Sequence, residues 1–504
     1  MKKKAFIPLA LGLSMALGFW LGHKLNRAPY LDPGWNKLFQ TMHYIEQEYV
    51  DSVSMEDLQS EVLTYLLQRL DPHSHFIASD EVSLVNESLD GGFEGIGIRY
   101  TMLRDSVYVI NTIANGPAQK AGIKPGDRIV TAGDDTLSGK GVLSREVLSA
   151  IKGPSGTSVL LGIARHGYKG LLMIRVNRDN IPIESVDAVF KPEPGVLYIR
   201  IARFAKTTMD EFREKVYPLA KDSIRGVVLD LRGNGGGFLE SAVQLADEFL
   251  PDNKLIVYTG GKSHPRKNYY ATDRGAFEQT PLVVLIDGTS ASASEIFAGA
   301  IQDHNRGLIV GRRSFGKGLV QEQAQWLDGS ATRLTVARYY TPNGRSIQRE
   351  YGSVASRKNT PDTAIRGGIV PDVWVSGDTA GVTWFYAELV HTGVFTSFIY
   401  TYRDRHIEQI PASDWSSFEA FVNQQSLLDD FKAYLIANGV EINEKQWLRS
   451  AHLIDHRLKA MLARSLFGDA GYYRINASKD AWISTALQAL KNAERQNSSR
   501  PGIP

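Results

Sequence analysis

Three serines stand at alternate positions in Ser290-Ala291-Ser292-Ala293-Ser294-Glu295. The segment follows the apolar run Pro281–Ile286 and opens the helical pattern Ile296-Phe297-Ala298. A serine at such a junction stands at a helix N-terminus, where free N–H groups and the helix dipole favour negative charge. Small neighbours let a carbonyl group come close, so a nucleophile is one reading. A helix cap is the other, and on these residues alone it is the commoner role for serine. Farther on, Lys317 lies between two glycines in Ser314-Phe315-Gly316-Lys317-Gly318-Leu319-Val320-Gln321. Glycines weaken helix and strand, so they are expected where the backbone turns tightly or approaches a ligand. A nucleotide-cradling loop is excluded, because the P-loop spacing of glycine, lysine and hydroxyl is absent. The third segment is Leu229-Asp230-Leu231-Arg232-Gly233-Asn234-Gly235-Gly236-Gly237, a buried-type strand running into a glycine turn. Such a turn can offer amide donors to an oxyanion or a phosphate, and a plain strand-to-helix turn would also use glycine. His304, next to Asp303, invites a triad with Ser292. More than three helical turns would separate them, so His304 is read as a surface residue.

The elements that must hold these segments form an α/β stretch over 181–376. Strands are expected at Leu197–Ile201, Gly226–Leu231, Leu255–Tyr258, Leu282–Ile286 and Gly307–Val310, with helices near 207–219, 238–249 and 291–303. The alternation predicts a mostly parallel sheet. Residues 31–90 read as an N-terminal helical region, with Leu38, Met42, Ile45 and Tyr49 and then Leu58, Val62, Leu63, Leu66 and Leu67 at helical spacing. Asp71-Pro72 breaks that pattern. From 91 to 180 a β-module is expected, with strands Ile96–Tyr100, Val107–Ile110, Ile129–Ala132, Val159–Ala164 and Leu171–Val176 and one helix, Ser144–Ile151. Residues 377–504 are aromatic-rich and helix-patterned, without a chemical motif. The fold class is therefore α/β and β in a multidomain chain.

The chain has 504 residues, a formal net charge of +2 and no cysteine. Thiolate chemistry and disulfides are excluded, and no basic stripe points to nucleic acid. Lys2, Lys3 and Lys4 precede an apolar run from Ala5 to Gly22. Eighteen residues of helix span about 27 Å, near the hydrocarbon thickness of a bilayer. No small-x-small cleavage site follows the run, so residues 1–30 are read as an uncleaved single-pass anchor in the cytoplasmic membrane, with a cleaved signal peptide as the alternative. The lysines stay inside and the bulk of the chain lies on the periplasmic or extracytoplasmic side.

From about 35 to 376 the chain resembles the C-terminal processing peptidases, or tail-specific proteases. The three segments above occur in the family's order, together with Tyr340-Thr341-Pro342-Asn343-Gly344 and Gly368-Ile369-Val370-Pro371-Asp372. The resemblance implies a serine endopeptidase with a Ser–Lys dyad. Ser292 would be the nucleophile, Lys317 its general base and Gln321 the residue that orients the lysine. Gly236 and the backbone of Ala293 would donate to the oxyanion. Glycines 233 and 235 stand where the family more often has Asn and Pro. Lysine titrates near 10.4 in water, so burial must lower it for it to act as a base at neutral pH. Residues 91–98 and Gly116-Pro117-Ala118 with Ala121–Asp127 resemble a bacterial PDZ domain. Gly95, Ile96, Gly97 and Ile98 would be its carboxylate-binding loop and strand, with Val147 and Ile151 as an apolar groove floor. Lys152 takes a place linked in relatives to coupling between the PDZ domain and the active site. The family implies protein substrates with flexible C-termini, no cofactor and no metal, and assembly through terminal helices. The competing function is a non-catalytic PDZ scaffold that binds envelope proteins.

Overall fold

The computed structural model describes residues 33–350, 367–377 and 380–498 apart from 104–105, 114, 140, 166 and 222, and also Met15 and Leu17. Apart from those two residues, the anchor expected at 5–22 lies outside the described residues. Among the described residues no helix is long and apolar enough to cross a membrane.

The chain forms two compact units. The smaller takes in residues up to Ala78 and Gln323–Leu334. Its helical spacing becomes two helices, Pro33–Glu48 and Met55–Gln68, and the Ser54 hydroxyl caps the second by accepting from the Asp57 amide. At the Asp71-Pro72 break, Asp71 accepts the amides of His73 and Ser74. Here the structure departs from the all-helical reading. His75–Ile77 is a strand paired antiparallel with Ala331–Arg333, and three residues are too few to carry a period-two pattern.

The larger unit begins with the helix Ser79–Asp90 and the β-module. Antiparallel strands run in the order Ile98–Leu103, Ser106–Thr112, Arg128–Ala132, Ser158–Ala164 and Leu172–Asn177, so Ile98–Leu103 lies at the sheet edge. Helix Ser144–Ile151 has the expected bounds. Its single apolar face, including Val147 and Ile151, is packed into the module's core, so these two side chains back the expected groove rather than lie open in it.

The main sheet runs Val186–Glu193, Val196–Ile201, Gly226–Asp230, Leu282–Ile286, Leu308–Gly311, Val373–Trp374. Its first pair is antiparallel and the others are parallel. Alternate residues serve opposite faces. Leu197, Ile199, Leu229 and Val284 meet helices Thr208–Val216, Leu239–Asp247 and Ala293–Asp303. Tyr198, Val228, Val283 and Leu285 face the other way. Leu255–Gly260 does not join this sheet as expected. It pairs antiparallel with Lys267–Tyr270 and with Arg338–Tyr340. A short apolar run does not encode which sheet receives it, because the partner strand lies far away in sequence.

A parallel sheet requires cover on both faces, and the C-terminal region supplies the second cover. Residues 384–467 first build a core of their own around Phe395, Phe398, Phe418, Phe431 and Trp447. The helical run Glu444–Ala477 then breaks at Gly468 (φ 65°). Helix Ala481–Ser498 follows and lays Ile483, Ala486 and Leu490 on Tyr198, Val228, Val283 and Leu285. Gly226 permits the contact, since a Cβ there would lie 2.9 Å from the Leu490 side chain.

Candidate active site

Three neighbouring parallel strands, Gly226–Asp230, Leu282–Ile286 and Leu308–Gly311, end on the same side of the sheet. The chemical segments of the sequence are the connections that leave those ends, the usual place for a site in such sheets. Asp230 anchors the first connection. It is fully buried and accepts from Tyr198 Oη (2.6 Å) and from Arg232 Nε and Nη2 (3.0 and 2.6 Å), with Arg200 at 3.3 Å. Burial opposes its charge, but these partners prevail and hold its pKa below the ordinary carboxylate value. Arg232 also pairs with Asp480 at 2.8 Å and lies over the Trp482 ring, so the C-terminal helix grips the strand that carries the glycine turn.

The three serines separate by role. Ser290 and Ser294 are buried, and their hydroxyls donate to the carbonyl oxygens of Leu231 (2.8 Å) and Asn234 (3.0 Å). They staple the serine segment to the glycine turn, as does the Ala291 amide on the Asn234 carbonyl at 3.0 Å. Ser292, the middle one, is half-buried and heads the helix Ala293–Asp303 with φ 55° and ψ −113°. A non-glycine residue in that region stores about 1–3 kcal/mol and persists only where its surroundings impose it.

Glu295 is one source of that constraint. Its fully buried carboxylate accepts from the amides of Ser292 (2.8 Å), Gly316 (2.7 Å) and Lys317 (2.9 Å) and from Ser314 Oγ (2.5 Å). Burial pushes its pKa up against the pull of those donors. The segment carrying Ser292 and the segment carrying Lys317 are thereby joined through a single side chain. Lys317 is half-buried, and its Nζ donates to Gln321 Oε1 at 2.8 Å. Its flanking glycines let residues 348–349 pass close by. A Cβ on Gly316 would sit 2.9 Å from the Arg349 Cβ, and one on Gly318 would sit 2.7 Å from the Gln348 amide nitrogen.

Of the expected oxyanion donors, Ala293 is the first helical residue, so its amide has no acceptor within the helix. Gly236 abuts the same point, since a Cβ there would lie 2.8 Å from Ser292 Cβ and 3.1 Å from the Ala293 nitrogen. Its own N–H, however, donates to Asn234 Oδ1 at 2.9 Å. His304 lies at the far end of the helix, about 18 Å of rise from Ser292. It is half-buried rather than superficial, with Nε2 2.7 Å from the Leu255 carbonyl oxygen.

In the β-module, Gly95 closes the strand Gly92–Gly95, and Gly97 adopts φ 75°. The carbonyls of Ile96 and Gly97 accept from the amides of Ala118 (2.8 Å) and Ile113 (2.9 Å). Ile98 begins the edge strand, and both isoleucine side chains are buried. Lys152, which caps the helix Ser144–Ile151, donates from Nζ to Glu87 at 2.6 Å and lies 5.1 Å from the Phe93 ring centre. Sequence reasoning missed Asn234, Glu295 and Tyr339, whose hydroxyl lies 3.1 Å from the Ser292 carbonyl oxygen and donates to that of Lys317. For Glu295, its position three residues after a helix-heading serine was the available signal.

Comparison with known proteins identifies the domains that carry these residues. Residues 195–365 match peptidase family S41, residues 95–176 match the PDZ domain, and residues 385–468 match a family of unknown function. Carboxy-terminal processing protease CtpB of Bacillus subtilis is 35% identical over 324 residues, 63% of this chain and 66% of the relative. The carboxy-terminal-processing protease of Bartonella bacilliformis is 35% identical over 308 residues, 60% of this chain and 70% of its own length. Among solved structures, the photosystem II D1 C-terminal processing protease is similar at 30% identity and a TM-score of 0.38, over 68% of this chain and 86% of that one. With a family S41 core, a PDZ module ahead of it and this degree of identity over most of a relative's length, the chain belongs to the carboxy-terminal processing proteases.

Proposed function

We propose that this chain is a serine endopeptidase that captures unstructured C-terminal tails through its PDZ module and cleaves peptide bonds with a Ser292–Lys317 dyad. The observation that carries the reading is the Glu295 junction, which holds the backbone of Ser292 and the backbone of Lys317 on one carboxylate. Ser292 Oγ attacks the scissile carbonyl carbon while Lys317 Nζ, in its neutral form, takes the hydroxyl proton. Gln321 holds the amine in place. Gly236 and Ala293 serve the oxyanion, and Gly236 does so by releasing Asn234 Oδ1. Collapse of the tetrahedral intermediate expels the new amine, which receives its proton from Lys317. Water then attacks the acyl-enzyme, with Lys317 again as base.

The turn Gly95–Ile98 receives the substrate's terminal carboxylate, and the edge strand Ile98–Leu103 offers main-chain pairing to an added strand. Lys152 serves coupling between the module and the site, a role supported by its contact with Glu87 on the helix Ser79–Asp90, outside the module. The Ala5–Gly22 run tethers the enzyme to the membrane with its catalytic part outside the cytoplasm, and terminal helices serve assembly.

The test uses one unfolded protein substrate with a free C-terminal carboxylate and the same chain amidated. Wild type should cleave the free form faster, and Ser292→Ala should cleave neither. Equal rates on the two substrates would overturn tail capture. A wild type that binds tails but cleaves nothing would favour the scaffold.

A further inference from the structure

Tyr339 lies on the strand Ala331–Tyr340 with its ring buried, and its amide donates to the Gly318 carbonyl at 3.1 Å. Its hydroxyl reaches two main-chain oxygens, those of Ser292 and Lys317. Both residues are thus held on two sides. Glu295 takes their amides, and Tyr339 sets its one hydroxyl proton between their carbonyl oxygens. The contact to Ser292 has a geometric consequence. A peptide unit is planar and trans, so its C=O and N–H point in opposite directions. The Ser292 carbonyl and the Ala293 amide belong to one such unit, and a donor on the oxygen therefore sets the direction of the N–H. Two helical amides, of Glu295 and Ile296, also reach this oxygen from the helix side. Tyr339 comes from a different sheet and touches the Lys317 segment as well. Burial, reinforced by the nearby Glu295 charge, keeps the phenol protonated and therefore able to donate.

We infer that Tyr339 is a positioning residue of the hydrolytic site. Its hydroxyl fixes the Ser292–Ala293 peptide and the Lys317 main chain in one frame, so that the base meets the Ser292 hydroxyl while the oxyanion donor meets the carbonyl that Ser292 attacks. The inference rests on the peptidase reading above. The test is Tyr339→Phe, which keeps the ring in its pocket, beside wild type and Ser292→Ala, with rates normalised to the folded fraction from thermal melting. We expect kcat to fall by roughly tenfold or more, less than the ~100–1000-fold loss on deleting an oxyanion donor. KM should stay within about twofold, because main-chain aim matters most in the transition state. The acid limb of the pH–rate profile should move to higher pH as a loosened Lys317 gains water. An unchanged kcat and profile, or a loss confined to KM, would overturn the positioning role while Ser292→Ala remains inactive. Cleavage that persists in Ser292→Ala would overturn the peptidase reading, and this inference with it.

Discussion

At the scale of single residues, the site depends on how neighbouring groups divide the work. The two outer serines donate to buried carbonyls, and the middle one retains access to solvent. Ser292→Ala and Lys317→Ala should each reduce cleavage by at least ~1000-fold, and the double variant should be no slower than the worse single one, because nucleophile and base of the proposed dyad would act as a unit. Rates of purified, folded variants on an unfolded substrate check this, and additive losses would contradict the dyad. His304→Ala should leave kcat/KM within about twofold of wild type. Its imidazole contacts the Leu255 carbonyl, so the change should instead lower stability by about 1 kcal/mol, read from the denaturant midpoint.

At the scale of elements, the informative one is the helix Ala481–Ser498. It covers the face of the main sheet that the helices of the peptidase core leave open. Leu490 is buried there against the site of Gly226. Leu490→Ala should destabilise the fold by about 2–4 kcal/mol, the range for a large side chain lost from a close-packed core. Denaturant unfolding measures that loss, and a midpoint close to wild type would show that the helix is dispensable cover. The same helix places Asp480 on Arg232, beside the glycine turn. Helix and strand existence were largely legible, because the apolar periodicity of Ser144–Ile151 or Leu282–Ile286 is local. The sheet that claims Leu255–Gly260 was not, since its partners lie at Lys267–Tyr270 and Arg338–Tyr340.

At the scale of the molecule, charged groups knit the larger unit together. Asp187 of the main sheet faces Arg200 at 3.7 Å, with Arg203, Glu184 and Asp469 close enough to act on it. Asp469 also pairs with Arg99 of the PDZ module (3.1 Å) and with Arg464 (2.6 Å). Burial, aided by the Asp469 charge, pushes Asp187 up to about 6 despite Arg200. The folded protein therefore holds a proton that the unfolded chain releases near pH 4, and the associated stability is present at low pH and lost as pH rises through about 6. Asp187→Asn should change stability little at pH 4 and raise it by up to about 3 kcal/mol at pH 7, as followed by melting temperature against pH. A variant whose pH–stability curve parallels that of wild type would contradict the assignment. The sequence by itself determined the family and the order of the domains, and it offered the middle serine and the lysine between glycines as the candidates on which the proposed chemistry rests. It could do so because catalytic spacing, turn glycines and apolar periods are written in short contiguous stretches. Only the tertiary structure decided that Glu295 and Tyr339 join Ser292 to Lys317. It alone also decided that Asn234 occupies the Gly236 amide and that residues 481–498 close the sheet. Glu295 and Tyr339 reach Lys317 across 22 residues, Tyr339 reaches Ser292 across 47, and helix 481–498 meets strands far from it in sequence, where distance in space is set by packing and no local pattern records it; the Asn234–Gly236 contact spans two residues but depends on how the glycine turn is folded.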